Sequence, residues 1–164
     1  MPGTYPPSPR FSPTLTLPGS SIRPIPDTQE VFVSVSAATS LSVIIDLLSS
    51  SDVVGTTSDA QAAYHFRDAL EEPGVEVEIT RYETVKTGIQ ERAGTSVLGR
   101  VKGRSGEWTV VVMTVVRLLE VGTDLVVSVN VPEEEGAGDA KLVSDEVVGS
   151  LRVVDWGLFG DAEE

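Results

Sequence analysis

The chain has 164 residues, 40% of them hydrophobic, which is enough to bury the core of one domain without disulfides or metal clusters to hold it. It contains no cysteine and a single histidine, which excludes disulfides, thiolate nucleophiles and cysteine-based zinc sites and fits a reducing compartment. Twelve basic and 25 acidic residues give a net charge of −13, which disfavours nucleic acid and membrane partners and favours a basic protein surface.

The first 20 residues are rich in proline and serine, and only Leu15 and Leu17 alternate there as in a strand. Such a composition buries too little apolar surface to offset its ordering entropy, so we expect a tail. It resembles no signal peptide, and the longest apolar run, 110–116, is shorter than the roughly 20 residues of a membrane helix. We therefore expect a single domain over residues 21–160 and a short acidic end at 161–164.

Two strands are predicted after the tail. Residues 30–35 alternate apolar valines with other side chains, which has the period of a strand. Residues 41–48 fit both helical and strand spacing, but the β-branched run 43–45 favours a strand.

Acidic side chains occur at the joint, the short connection between the tail and the first strand, and also within the second strand. Asp27 and Glu30 flank the joint, and Asp46 interrupts an apolar run where a charge is costly unless it reaches water or a cation. A turn explains Asp27 alone, but not Glu30. If the two strands pair, Asp46 comes near Glu30 at one rim, and the three carboxylates predict an anionic patch for a basic partner.

The clearest helix follows, with Ser58 as the predicted N-cap, Gln61 as its capping-box partner and Pro73-Gly74 as the stop. It carries His65, the one possible imidazole base. A surface or half-buried histidine beside Asp68 explains that residue as well as catalysis does. No spacing suggests a metal site, so the sequence predicts no catalytic residue, no metal and no cofactor.

The second half of the chain predicts strands at 75–80 and 95–103 and then a long hairpin over 107–132, which turns near Gly122 and ends at Pro132. Residues 109–116 are apolar on both faces, so we expect central strands covered on both sides. A solvated acidic loop at 132–141 and a short helix at 141–151 follow. The fold class is therefore α/β (α+β): a central antiparallel sheet with helices packed on both faces.

Residues 136–141 lack the glycine spacing and the Gly-Lys-Ser/Thr ending of a phosphate loop, and the adjoining acidic run lacks the ligand pattern of a calcium loop. Two functions from other classes stay open. One is an acidic adaptor that binds another basic protein, and the other is a hydrolase with paired carboxylates.

Several blocks of the sequence resemble a known family, the Mog family of Ran guanine nucleotide release factors. "RPIPDTQEVFV" is similar to its signature, "SVIIDLL" to its next strand, "AAYHFRDAL" to its helix, "VVRLLEVGTDLVVSVNVP" to its hairpin and "LRVVDWGLFG" to its carboxyl end. These blocks stand in the family's order and cover most of residues 22–160.

The resemblance implies a PsbP-like three-layer sandwich, binding to a basic surface of the GTPase Ran, release of Ran's nucleotide without covalent chemistry, and nuclear protein import. It also implies a nuclear and cytoplasmic location, a monomer, and contact with other Ran-binding proteins. The Ran-facing residues it implies are Asp27, Thr28, Gln29, Glu30 and Asp46. Arg117, Thr123, Asp124 and Asn130 also match family positions, but a hairpin holds such residues for folding reasons.

Two departures from the family stand out. Its amino-terminal Leu-Phe-Gly-Gly-Ala strand and upstream acid are absent from residues 1–22. Ser49 occupies a position that is often acidic in the family. The acidic patch is therefore expected to be smaller than in other members.

Overall fold

An antiparallel sheet lies at the centre of the structure, a computed structural model that describes residues 29–33, 40–90, 92–135 and 137–159. Among these residues the sheet has six strands in the order β1-β2-β6-β5-β4-β3. The strands are β1 (Gln29–Val33), β2 (Ser42–Ser49), β3 (Glu76–Lys86), β4 (Ala93–Lys102), β5 (Trp108–Leu118) and β6 (Thr123–Pro132). The predicted tail at 1–20, the end at 161–164 and residues 34 and 35 of the first predicted strand lie outside the described residues.

One helix packs on each face of the sheet. Helix α1 (Ser58–Leu70) covers β3, β4 and β5, with Phe66 fully buried in a cluster that includes Val97 and Met113. Helix α2 (Ala137–Ser150) covers β5 and β6 on the opposite face, where Val148 packs against a valine-rich cluster. The predicted three layers, with helices on both faces of an antiparallel sheet, are confirmed.

The hairpin of β5 and β6 forms the middle of the sheet, as its two-sided apolar pattern predicts. Val111 faces α1 and Val112 faces α2, and both are fully buried. The turn contains a short 3-10 helix, Leu119–Val121, and ends at Gly122, whose φ of 61° is a left-handed conformation that glycine adopts without strain. Helices on both sides therefore explain why these strands carry runs of valine that are buried on both faces.

The predicted start of α1 is wrong by one residue. Thr57, with an extended backbone, is the N-cap, and its Oγ1 accepts a hydrogen bond from the N–H of Ala60 at 3.1 Å. Gln61 does not complete a capping box with Ser58, because its Nε2 donates to the carbonyl of Gly55 at 3.1 Å. Either hydroxyl could cap from sequence alone, and the backbone path before the helix selects Thr57.

Helix α2 begins at Ala137, four residues before the predicted start, so the acidic loop is shorter than expected. Glu133–Glu135 form a 3-10 turn that is tied to the sheet: Glu133 accepts from Arg100 and Glu135 from the N–H of Ser40. Within the described residues no helix has the length and apolarity to cross a bilayer.

Candidate functional site

The two amino-terminal strands pair, which was the condition for the expected acidic patch, and they place Glu30 and Asp46 on adjacent strands, one position out of register. Gln29 lies opposite Asp46, and its Nε2 donates to Asp46 Oδ2 at 3.1 Å. Glu30 lies opposite Ile45, one position along. Asp27 and Thr28 lie outside the described residues. Gln29 therefore has a role that the sequence did not indicate, which is to hold the Asp46 carboxylate from the neighbouring strand.

The side chains of Glu30 and Asp46 point to opposite faces of the sheet. Residues directly opposite across a strand pair share a face, and successive residues alternate. Ile45, the partner of Glu30, packs against the α2 side of the core, whereas Val126, opposite Asp46 on β6, belongs to the α1 side. The acidic residues expected to form a single patch at one rim are thus divided between two faces. The sequence indicated that Glu30 and Asp46 would be neighbours, but it did not give the strand register that decides which face each side chain occupies.

Glu30 is exposed on β1, which is an edge strand of the sheet that the structure describes. No ion pair between described residues involves it, although many arginines and lysines are paired with the chain's own acids. Arg100 illustrates this pairing, since its hydrogen bonds to Glu78 and Glu133 raise its pKa. Glu30 is therefore an exposed carboxylate outside the ion pairs that the described residues form.

A buried polar cluster joins α1 to the central hairpin. His65 Nε2 lies 2.7 Å from Asp124 Oδ2, and both side chains are buried. Arg117 Nε donates to Asp124 Oδ1 at 3.0 Å, and Arg117 Nη2 donates to the carbonyl of Ser50 at 3.1 Å. His65 is thus fully inside the protein and bonded to Asp124, and the expectation of a surface or half-buried histidine beside Asp68 is wrong.

This cluster was not predicted as a unit, although one signal was present in the sequence. Arg117 and Asp124 are the charged residues of β5 and β6, both near the closed end of the hairpin, and they are direct cross-strand partners. Two other family positions have structural contacts of the expected kind: Thr123 donates to the carbonyl of Val121, and Asn130 to the hydroxyl of Ser42. These contacts support a folding role for the matched hairpin residues.

Two observations on the described part of the chain bear on metal and carboxylate chemistry. It contains no group of three or more His, Asp or Glu side chains placed so that they could hold a metal ion. A cavity of about 290 Å³ near Arg117 and another of about 450 Å³ near Trp156 have no carboxylate among their described lining residues. A carboxylate-pair hydrolase requires such acids in a cleft, so these cavities do not favour that alternative.

Comparison with known proteins gives one consistent result. Residues 13–132 match the model of a family described as "Ran-interacting Mog1 protein". The chain is 31% identical over 172 residues to the nuclear import protein MOG1 of Saccharomyces cerevisiae, and this alignment covers 85% of the chain and 75% of the relative.

Two solved structures share the fold. A single-residue mutant of Mog1 matches with a TM-score of 0.62 at 24% identity, over 88% of this chain and 89% of that one. The crystal structure of the Ran-binding protein Mog1p of Saccharomyces cerevisiae matches with a TM-score of 0.56 at 25% identity, over 79% and 73% of the respective chains.

Proposed function

The chain belongs to the Mog1 family, and on this basis we propose that it binds the small GTPase Ran, promotes release of Ran's guanine nucleotide and supports nuclear protein import. The proposed site comprises Asp27, Thr28, Gln29, Glu30 and Asp46. The proposed location is the nucleus and the cytoplasm, mainly the nucleus. The proposed active form is a monomer that other Ran-binding proteins contact.

The observation that carries this proposal is the position of Glu30. It lies in the sequence block that resembles the family signature, on an edge strand, exposed and outside the ion pairs formed among the described residues. The net charge of −13 adds a long-range field that attracts a basic partner. Both features support an electrostatic interface with a cationic face of Ran.

The division of the acidic residues between two faces suggests how Ran engages the chain. A partner that lies along the outer side of β1 reaches Glu30 on the α2 face and the Gln29–Asp46 pair on the α1 face at the same time. We therefore propose that Ran contacts the β1 edge on both faces of the sheet, rather than binding a patch on one face.

Release of nucleotide by this mechanism needs no covalent step. If the chain prefers a Ran conformation that holds nucleotide poorly, then binding of the chain weakens nucleotide affinity by some factor. Thermodynamic linkage requires that nucleotide weaken the affinity of the chain for Ran by the same factor. The proposed role is thus a differential binding equilibrium between two Ran states.

The test mixes purified protein with Ran loaded with a fluorescent guanine nucleotide and follows nucleotide release and Ran binding separately. A charge-assisted hydrogen bond contributes roughly 1.5–3 kcal/mol, so we expect Glu30→Lys to weaken Ran binding more than about tenfold. Glu76→Lys makes the same charge change at an exposed site on β3, the opposite edge of the described sheet, and should bind as wild type does.

The outcomes separate the parts of the proposal. Normal binding by Glu30→Lys would remove Glu30 from the site. Equal losses of Ran affinity in Glu30→Lys and Glu76→Lys would mean that the effect comes from the change in net charge and not from the position of Glu30. Ran binding without faster release would make the chain an adaptor that lacks exchange activity, and no Ran binding alongside capture of a different basic protein would favour the adaptor alternative.

A further inference from the structure

A cavity of about 290 Å³ lies on the α1 face, where the first turn of α1 meets the start of β4 and the end of β5. Its polar lining comes from Ser58, Gln61, Thr95 and Arg117, and its apolar lining includes Val115 and Leu119. Ligand pockets begin at roughly 300 Å³, so this cavity has room for a small ion or one side chain, not for a nucleotide.

Arg117 presents unused hydrogen-bond donors to this cavity. A guanidinium has five N–H donors. Two of them are used, by Nε on Asp124 and by Nη2 on the Ser50 carbonyl, which leaves three without a partner among the described residues. The side chain is 23% exposed and forms part of the cavity lining. A partly buried guanidinium with three donors left over can donate hydrogen bonds to an anion in the cavity.

The carboxylates near Arg117 do not line the cavity. Asp124 is fully buried, and its two oxygens contact His65 and Arg117. Glu120 pairs with Arg92 at the surface. Among the described residues no carboxylate lines the cavity, whereas the hydroxyls of Ser58 and Thr95 and the amide of Gln61 do. In a chain of net charge −13, the described lining of this cavity thus offers hydrogen-bond donors and no carboxylate.

We propose that this cavity binds a small oxyanion of the phosphate class, held by the free donors of Arg117 and by the hydroxyls of Ser58 and Thr95. The planar guanidinium matches two oxygens of such an anion at once. Asp124 offsets part of the positive charge, so the affinity is modest. The phosphate group is either free or carried on a side chain of a partner, and the site does not depend on Ran binding.

The test is a titration of the full chain with inorganic phosphate, followed by two-dimensional amide NMR at constant ionic strength with chloride as the compensating anion. We expect saturable shifts at the amides of Ser58, Thr95 and Arg117. Arg117→Gln should weaken the affinity by more than about tenfold. Arg152→Gln removes an exposed arginine that lines the other cavity and should leave these shifts unchanged.

Arg117 also bonds the buried Asp124, so its replacement affects folding as well as the cavity. A second variant distinguishes loss of the site from loss of folding. Thr95→Leu fills the cavity and leaves Arg117 and its ion pair in place, so it should abolish the saturable shifts. The proposal is overturned if wild type gives no saturable shift, or if Thr95→Leu gives the same shifts as wild type. A phosphoserine peptide that binds more tightly than phosphate would assign the site to a phosphorylated partner, and equal affinity would assign it to the free anion.

Discussion

His65 on α1 and Asp124 at the start of β6 form a buried pair, with 2.7 Å between Nε2 and Oδ2. A carboxylate only accepts hydrogen bonds, so Nε2 carries the hydrogen that it donates. Nδ1 is buried and has no partner among the described residues. Because Asp124 also accepts from Arg117, one carboxylate ties the helix to the closed end of the central hairpin.

Asp124→Ala should lower the free energy of unfolding by about 3–5 kcal/mol, because it leaves a partly buried guanidinium and a buried imidazole without this acceptor. Urea denaturation measures the change. Asp52→Ala, at an exposed turn position, should stay within about 0.5 kcal/mol of wild type. A loss below about 1 kcal/mol for Asp124→Ala would show that the cluster contributes little to stability.

Glu30→Ala and Asp46→Ala should weaken Ran binding additively. Their side chains lie on opposite faces of the sheet, so each contacts a different part of a partner that is bound at the β1 edge. Independent sites add within about 0.3–0.5 kcal/mol, and contacts that share a partner group couple by roughly 0.5–3 kcal/mol. Affinities of the two single variants and the double variant provide the comparison. Coupling above about 1 kcal/mol would mean that one group on Ran contacts both carboxylates.

Gly99→Ala should destabilise the packing of α1 on β4. A Cβ at this position would lie 2.4 Å from the carbonyl oxygen of Glu78 and 2.7 Å from Cζ of Phe66, and overpacking of this kind costs about 1–3 kcal/mol. Gly149→Ala lies in α2 with open space around its Cβ position, and it should instead raise the free energy of unfolding by about 0.5–1 kcal/mol. Thermal unfolding of both variants shows whether each substitution lowers or raises stability. A stable Gly99→Ala would mean that Phe66 moves aside without loss.

The Glu120 carboxylate should contribute stability at neutral pH that is lost in acid. A hydrogen bond from its own backbone N–H, followed by the Arg92 guanidinium, lowers its pKa against the opposing effect of desolvation. A lowered pKa in the folded state means that the stabilisation is present above the ordinary pKa of glutamate and disappears as pH falls through the folded value.

Carboxyl NMR titration of wild type and Arg92→Gln tests this assignment. The pKa of Glu120 should rise only partway in the variant, because the backbone hydrogen bond remains. A return to the ordinary glutamate value would make Arg92 the dominant cause instead. Glu120→Gln should flatten the acid limb of the stability curve in the same pH range.

Local patterns in the sequence were sufficient to predict most of the elements. The β-branched runs of β5 and β6, apolar on both faces, indicate strands covered on two sides, and the three-layer architecture follows from that requirement. The β-branched residues of β2 correctly outweighed its helical spacing. The start of each helix was less certain, since neighbouring Thr57 and Ser58 are both suitable caps and only the backbone path distinguishes them.

The amino-acid sequence by itself determined which segments become strands and helices, and its motifs led to the family, because both are properties of neighbouring residues. Only the tertiary structure decided that Glu30 and Asp46 face opposite sides and that His65 reaches Asp124, 59 positions away along the chain. Strand register sets the first relationship and the docking of α1 on the sheet sets the second. A shift of register by one residue would reverse the faces while leaving every local pattern unchanged.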